Sequence, residues 1–348
     1  LNYLPDTMET IQGQDILLND FGKGAFSMII VEDMEPKDVS ALKEKIEAVD
    51  HVDSVIWYDS IADVSIPMDI LPDKIKDAFN TDHSTVMAVF FDTSTSADET
   101  MEAINTIRDV TNNQCFVSGM SAMVTDLKNL CEQEEPIYVA IAVVLAVVVM
   151  MLFMDSFLIP IIFLVSIGMA ILYNLGSNYF LGEISYITKA LSAILQLGVT
   201  MDYSIFLWHS YNEQKVRFDG DKERAMAHAI SNSIISVASS SITTIAGFLS
   251  MCFMSFTLGA DLGIVMAKGV VFGLIGCVTI LPSLILVFDK AIEKTRHKQL
   301  MPKFDKVARF ITKRSWLFLI IFAVLIGPAV YGYNNTQKYY DLSQTMPQ

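Results

Sequence analysis

The chain has 348 residues, of which 52% are hydrophobic and 18% charged, with a formal net charge of −15. That is too apolar for an ordinary soluble domain, where the charged share is nearer about 25%, and the acidic balance argues against a nucleic-acid partner. The charge is uneven: up to Pro136 there are 27 acidic and 8 basic side chains, and from Ile137 onward 12 and 16, so an acidic domain is expected to precede a membrane domain.

Residues 25–32 (AFSMIIVE) read as a strand. The helix that follows carries Val39, Leu42, Ile46 and Val49 at helical spacing. VDSVIWY is a second strand and STVMAVFFD a third. A second amphipathic helix places Met101, Ile104, Ile107 and Val110 on one face, and QCFVSG closes as a fourth strand. The order β-α-β-β-α-β predicts a ferredoxin-like domain over residues 1–135, with an insert at 61–79 as a short helical excursion. Its acids read as a solvated face. No nucleophile, base and orienter stand together, and no metal-ligand spacing occurs, so neither an enzyme, a metal nor a cofactor is expected. Cys115 and Cys131 could pair in an oxidising compartment or stand as two thiols; both readings stay open.

Six stretches are long and apolar enough to cross a hydrocarbon core about 30 Å thick: residues 137–154, 158–180, 187–209, 230–255, 262–288 and 316–333. Residues 136–290 then form a five-helix bundle, 291–315 a basic linker, 316–334 the sixth span and 335–348 the start of a further segment. Residues 289–315 carry nine Lys and Arg against three acids, and short loops rich in those residues stay in the cytoplasm. Counting spans back from that loop puts the acidic domain outside the cell membrane.

The third span holds one carboxylate, Asp202, in GVTMDYSIFLW. A charged Asp at the centre of a membrane helix costs about 2.5–3.5 kcal/mol on insertion scales. Lys189 is 13 residues away, about 20 Å along a helix, so no salt bridge forms within the span. Lys268 in the fifth span is the intramembrane cation that remains, and it is expected nearer the outer face. Low dielectric favours the neutral form of an acid without a partner, so Asp202 is read as a residue that takes up and releases a proton, with Tyr203 as its hydrogen-bonding companion. Gly198, one turn earlier, is expected to let another backbone approach. The fourth span offers Ser236, Ser240, Thr243, Thr244 and Gly247 as a small, hydroxyl-bearing stripe, either lining a seam beside the acid or simply permitting close packing. His209 reads as an interfacial histidine rather than a relay.

These residues carry a resemblance. LGVTMDYSIFLWHSYNEQ (197–214), KERAMAHAISNSIISVASSSITTIAGFLSM (222–251), LGIVMAKGVVFGLIGCVTILPSLI (262–285) and GMSAMVTDLKNL (119–130) occur in an order that resembles the resistance–nodulation–division (RND) superfamily and, within it, the MMPL-type membrane transport proteins. The resemblance implies a tandem repeat, each half with one helix, an outer porter-type domain and five more helices. The chain then looks like a piece of the N-terminal half, and its tail YYDLSQTMP echoes YLPDTMET near the start. It further implies proton-driven export of lipids or other hydrophobic or amphiphilic molecules across the cytoplasmic membrane. Asp202 and Tyr203 would be the proton relay, supported by Gly198, Ser240, Thr243, Thr244 and Gly247. The implied partners are protons, lipid cargo, membrane lipids and a second half bearing another Asp–Tyr pair; the oligomeric state stays open. A lipid-sensing module of the sterol-sensing type, or an accessory membrane protein, is the alternative.

Overall fold

The computed structural model describes residues 4–5, 7–60, 77–81, 83–111, 114–182, 184–298 and 305–336. Most of the expected insert and the expected tail repeat lie outside these residues. Contacts divide the chain into two compact units, residues 1–143 with 162–288, and residues 144–161 with 289–348.

The first unit opens with a helix that the sequence reading did not assign, α1 (Glu9–Phe21). It ends at Gly22, whose φ of 63° is left-handed and whose N–H bonds Leu17 O, a geometry that glycine adopts without strain. Then follow β1 (Phe26–Glu32), α2 (Pro36–Glu47), β2 (Val52–Ile56), β3 (Ser84–Phe91), α3 (Asp98–Val110) and β4 (Cys115–Ser118). The sheet order is β2-β3-β1-β4 with every neighbouring pair antiparallel. α2 therefore joins two strands that flank β3, and α3 joins two that flank β1. Most of the expected apolar faces enter the core: Val39, Leu42 and Ile46 of α2 and Ile104 and Ile107 of α3 bury against Ile29, Val31, Met87, Val89 and Phe91, whereas Val110 at the end of α3 is exposed. Trp57 is fully buried, and its ring N–H donates to Thr85 Oγ1 at 2.7 Å.

α4 (Met120–Phe153) is one helix of 34 residues, so the expected boundary at 135/136 lies inside it. Its N-terminal half is tied to α3 by polar pairs: Asp126 with Arg108 at 2.6 Å, Lys128 with Asp98 at 2.7 Å, and Asn129 donating to Asn105 at 3.0 Å. Past Pro136 it is almost wholly apolar. The composition changes from polar to apolar along the length of one helix.

The remaining helices of the first unit are α5 (Ile159–Gly176), α6 (Tyr186–Arg217), α7 (Lys222–Ser250), α8 (Thr257–Val278) and the first half of α9 (Ile280–Lys294). With α4 and the later α11 (Ser315–Asn335) they supply six helices long and apolar enough to span a membrane, as expected. The protein is polytopic. Serine and aspartate caps start two of them: Ser185 Oγ accepts from Ile187 N at 3.2 Å, and Asp221 Oδ1 accepts from Arg224 N at 3.2 Å. Asp261 of α8 adds a carboxylate at the start of α6, accepting from Ser185 N at 2.8 Å. The fifth span is interrupted between α8 and α9 at Thr279. Pro282 follows three residues later and has no N–H for the helical ladder.

In the second unit, the turn after α4 is held to the end of α9. Asp155 pairs with Arg296 at 3.1 Å and its carbonyl accepts from His297 N at 2.9 Å. Ser156 and Thr295 share a hydroxyl hydrogen bond of 2.7 Å. A short helix, α10 (Asp305–Lys313), leads into α11.

Candidate functional site

Asp202 sits near the middle of α6, and α6, α7 and α8 pack on one another. The buried face of α6 carries Ser192, Gln196, Leu197, Thr200, Tyr203, Ser204 and Leu207, a pattern of threes and fours. Asp202 stands one residue off that face and is exposed. It opens into a groove of about 440 Å³ lined by Val199, Asp202, Tyr203 and Phe206 of α6 and by Ser236, Val237, Ser240 and Thr244 of α7. It is the only charged group on that lining. Among the described residues its carboxylate has no hydrogen bond or ion pair.

The two threonine hydroxyls of α7 near the groove bond their own helix. Thr243 and Thr244 both donate to Ser240 O, at 2.8 and 3.0 Å, which is how such residues stay satisfied in a helix surrounded by hydrocarbon. The proton of the Thr244 hydroxyl is thereby committed, while its oxygen keeps acceptor capacity toward the groove. A protonated Asp202, or a water bound there, would meet acceptors rather than competing acids.

Several expectations need correction. Tyr203 is buried, 4% exposed, and its hydroxyl has no hydrogen-bond partner among the described residues, so it does not bond Asp202. The reason is geometric: successive residues point about 100° apart around a helix, so Tyr203 turns into the bundle where Asp202 turns out. Gly198 and Gly247 make no close approach, since a Cβ added at either meets nothing within 4 Å. Ser240 and Thr244 line the groove, whereas Thr243 and Gly247 lie outside its lining and are exposed. α7 does turn small residues inward, but along a neighbouring stripe: Ala225, Ala229, Ser233, Val237 and Ser241. The close approaches belong to α8. A Cβ at Gly263 would come 2.6 Å from Phe248 O, and one at Gly273 2.2 Å from Thr200 Cγ2.

A second polar cluster was missed. Asn174 of α5 donates to Gln196 Oε1 of α6 at 2.9 Å, and Gln196 Nε2 donates to Gly269 O of α8 at 3.1 Å. Asn174 and Gln196 are fully buried. Gly269 makes the room, since its missing Cβ would lie 2.7 Å from Asn174 Nδ2. Lys268 donates to Asn178, just past the C-terminal end of α5. The signal was present in the sequence: Asn174, Gln196 and Lys268 are polar residues inside apolar spans, the same anomaly that singled out Asp202. His209 is exposed.

Comparison with known proteins adds family and kin. The family model described as "MMPL family" matches residues 37–318. "Putative membrane protein MJ1562" of Methanocaldococcus jannaschii is 24% identical over 289 residues, 76% of this chain and 74% of that protein. "Probable transport protein MmpL12" of Mycobacterium tuberculosis is 24% identical over 245 residues, 67% of this chain and 21% of that protein. "Hopanoid transporter HpnN" of Rhodopseudomonas palustris is 28% identical over 102 residues, 29% of this chain and 12% of that protein. The aligned part of this chain thus spans about a fifth or less of the two named transport proteins.

Proposed function

This chain belongs to the MMPL family, and from that premise we propose that it is part of a proton-driven exporter of lipids or other hydrophobic or amphiphilic molecules across the cytoplasmic membrane. The observation that carries the reading is Asp202: a carboxylate without a partner, midway along a spanning helix, facing a groove of neutral hydroxyls. A proton entering that groove neutralises a charge that is costly in the membrane. The preferred packing of α6 against α7 then differs between the two protonation states, which is what a switch element requires. One proton crossing supplies about 2.3 kcal/mol per 100 mV of membrane potential.

Residues 1–135 act in this reading as an extracytoplasmic porter-type domain of ferredoxin-like topology, which the strand order β2-β3-β1-β4 supports. Residues 136–290 are the proton-handling bundle and 291–315 the basic cytoplasmic linker before the sixth span. The continuous α4, pinned to α3, would carry motion from the bundle to the outer domain. Ser240 and Thr244 assist Asp202 from across the groove, and Tyr203 acts by filling the bundle side. A second Asp–Tyr half completes the transporter.

The test is Asp202→Asn in the full-length protein, with proton flux and cargo efflux followed together in proteoliposomes under a pH gradient. Both should be abolished while membrane insertion is retained. Normal export with normal gradient dissipation would make Asp202 structural. Lipid binding without proton movement in the unaltered protein would favour the lipid-sensing alternative.

A further inference from the structure

The proton reading leaves a cavity in the domain before the spans without a role. It measures about 440 Å³ and lies where the end of β1, the start of α2 and the start of β3 come together. Small-molecule sites have this order of size. Asp33, Glu35 and His83 are its titratable groups, and no Lys or Arg lines it among the described residues.

Most other polar groups at this place bond one another. The Trp57 ring N–H donates to Thr85 Oγ1, and the Thr85 hydroxyl donates to Phe79 O at 3.0 Å. Thr81 and Ser84 share a hydroxyl hydrogen bond of 2.6 Å. Asn80, also on the lining, is the exception. Both polar atoms of its side chain, Nδ2 and Oδ1, are buried, and neither has a hydrogen-bond partner among the described residues. Folded proteins leave few such atoms, and two on one side chain require an explanation that the fold itself does not supply.

The carboxylates are open to a ligand as well. Glu35 occupies the N-cap position of α2, yet its side chain caps no helix N–H, so it is not spent on the fold in the way such a residue usually is. Asp33 holds a left-handed backbone with φ of 49°, uncommon for a residue with a Cβ. Its N–H donates to His83 O at 2.8 Å, and Gln114 Nε2 donates to its carbonyl at 3.1 Å. The backbone is thereby fixed while the Asp33 side chain is 73% exposed, 3.5 Å from an equally open His83 Nδ1.

We propose that this cavity binds a hydroxylated primary amine about the size of one sugar ring, its ammonium on the carboxylates of Asp33 and Glu35 and a neighbouring hydroxyl on the Asn80 amide. An ammonium offers donors and no acceptor, the complement of two carboxylates on a lining without Lys or Arg. A hydroxyl both donates and accepts, which is what an amide with both atoms unpaired requires. An anionic solute would meet like charge. The inference belongs to the domain before the spans and is independent of proton coupling.

The experiment uses the whole chain in detergent, dialysed to equilibrium against radiolabelled glucosamine, with unlabelled glucose and cyclohexylamine as competitors. Glucosamine should bind saturably. Glucose lacks the ammonium and cyclohexylamine lacks the hydroxyls, so each should compete about tenfold less well. Asp33→Asn and Glu35→Gln should each weaken glucosamine binding about fivefold at low salt. Asn80→Leu should weaken it about tenfold. Because that change removes two atoms that nothing satisfies, it should leave the thermal midpoint of the ligand-free chain unchanged or raised. Absence of saturable binding overturns the proposal, as does binding that all three substitutions leave unchanged. Glucose competing as well as glucosamine overturns the role of the carboxylates, and cyclohexylamine doing so overturns that of Asn80. A lowered midpoint in ligand-free Asn80→Leu, with binding unchanged, makes the amide structural and overturns its assignment.

Discussion

Asn174 Nδ2 donates to Gln196 Oε1 at 2.9 Å between two fully buried side chains on different spans. Gln196 passes the connection on to Gly269 O, so one amide ties α5, α6 and α8 together. Replacing Gln196 with Leu strands the Asn174 amide and the Gly269 carbonyl at once. Interhelical hydrogen bonds in membranes average about 0.6 kcal/mol and reach about 1.7. The expected cost is about 1 kcal/mol, seen as a fall of roughly 3 °C in the thermal midpoint in detergent. An unchanged midpoint would show that the clamp is dispensable.

Glycines separate into tight and open sites. Gly273→Ala drives a Cβ into the Thr200 methyl at 2.2 Å, an overpacking that typically costs about 1–3 kcal/mol. Adding Thr200→Ser removes that methyl and keeps a hydroxyl for Gln196 O, so the double variant should regain most of the loss. Gly198→Ala and Gly247→Ala meet open space and should change stability by no more than about 0.5 kcal/mol. A destabilised Gly198→Ala would mean that a partner backbone does come close at that point.

Tyr203→Phe removes a buried hydroxyl that has no hydrogen-bond partner among the described residues. Its stability should be equal to or slightly above that of the unaltered protein, because nothing is left unsatisfied. Proton flux should fall far less than in Asp202→Asn. If Tyr203→Phe stops flux as completely as Asp202→Asn, the tyrosine hydroxyl is part of the proton path.

Orientation is open to single-cysteine labelling in intact cells. An impermeant maleimide should label Lys45→Cys on the acidic domain and leave Lys298→Cys untouched until the membrane is permeabilised. The opposite pattern would reverse the assignment made from the Lys and Arg bias.

The domain that precedes the spans carries a small pH dependence. Hydrogen bonds from Lys23 and then Ser54 hold the Asp53 carboxyl below its usual value of 3.8. A depressed carboxylate stabilises the fold above its unfolded value and loses that contribution as pH falls through the folded one. Both side chains are part-exposed, so the pair is worth at most about 1 kcal/mol. Lys23→Met should lower stability at pH 7 by that order and leave it unchanged near pH 2. An equal loss at both pH values would assign the effect to packing.

Much of the fold was legible because its signals are local. The strands, the two amphipathic helices and the six spans each follow from periodicity or apolar run length within a single segment. The missed features are relations between segments. No periodicity announces that Gln196 will find Asn174 twenty-two residues earlier, or that Gly269 rather than Gly198 is the close approach.

From the sequence alone it follows that Asp202 is a lone acid in an apolar helix, since its cost and its distance from Lys189 depend only on composition and helical rise. Tertiary structure decided what that acid faces. Rotation about α6 leaves Asp202 exposed on the groove and Tyr203 buried at its wall, and rotation about α7 offers Ser240 and Thr244 to the groove while Ala229, Ser233 and Ser241 are buried. A residue's type sets what it can do with a proton. Only the packing of one helix on the next sets which neighbours share the space, because helical spacing defines several stripes and interhelical contact selects among them.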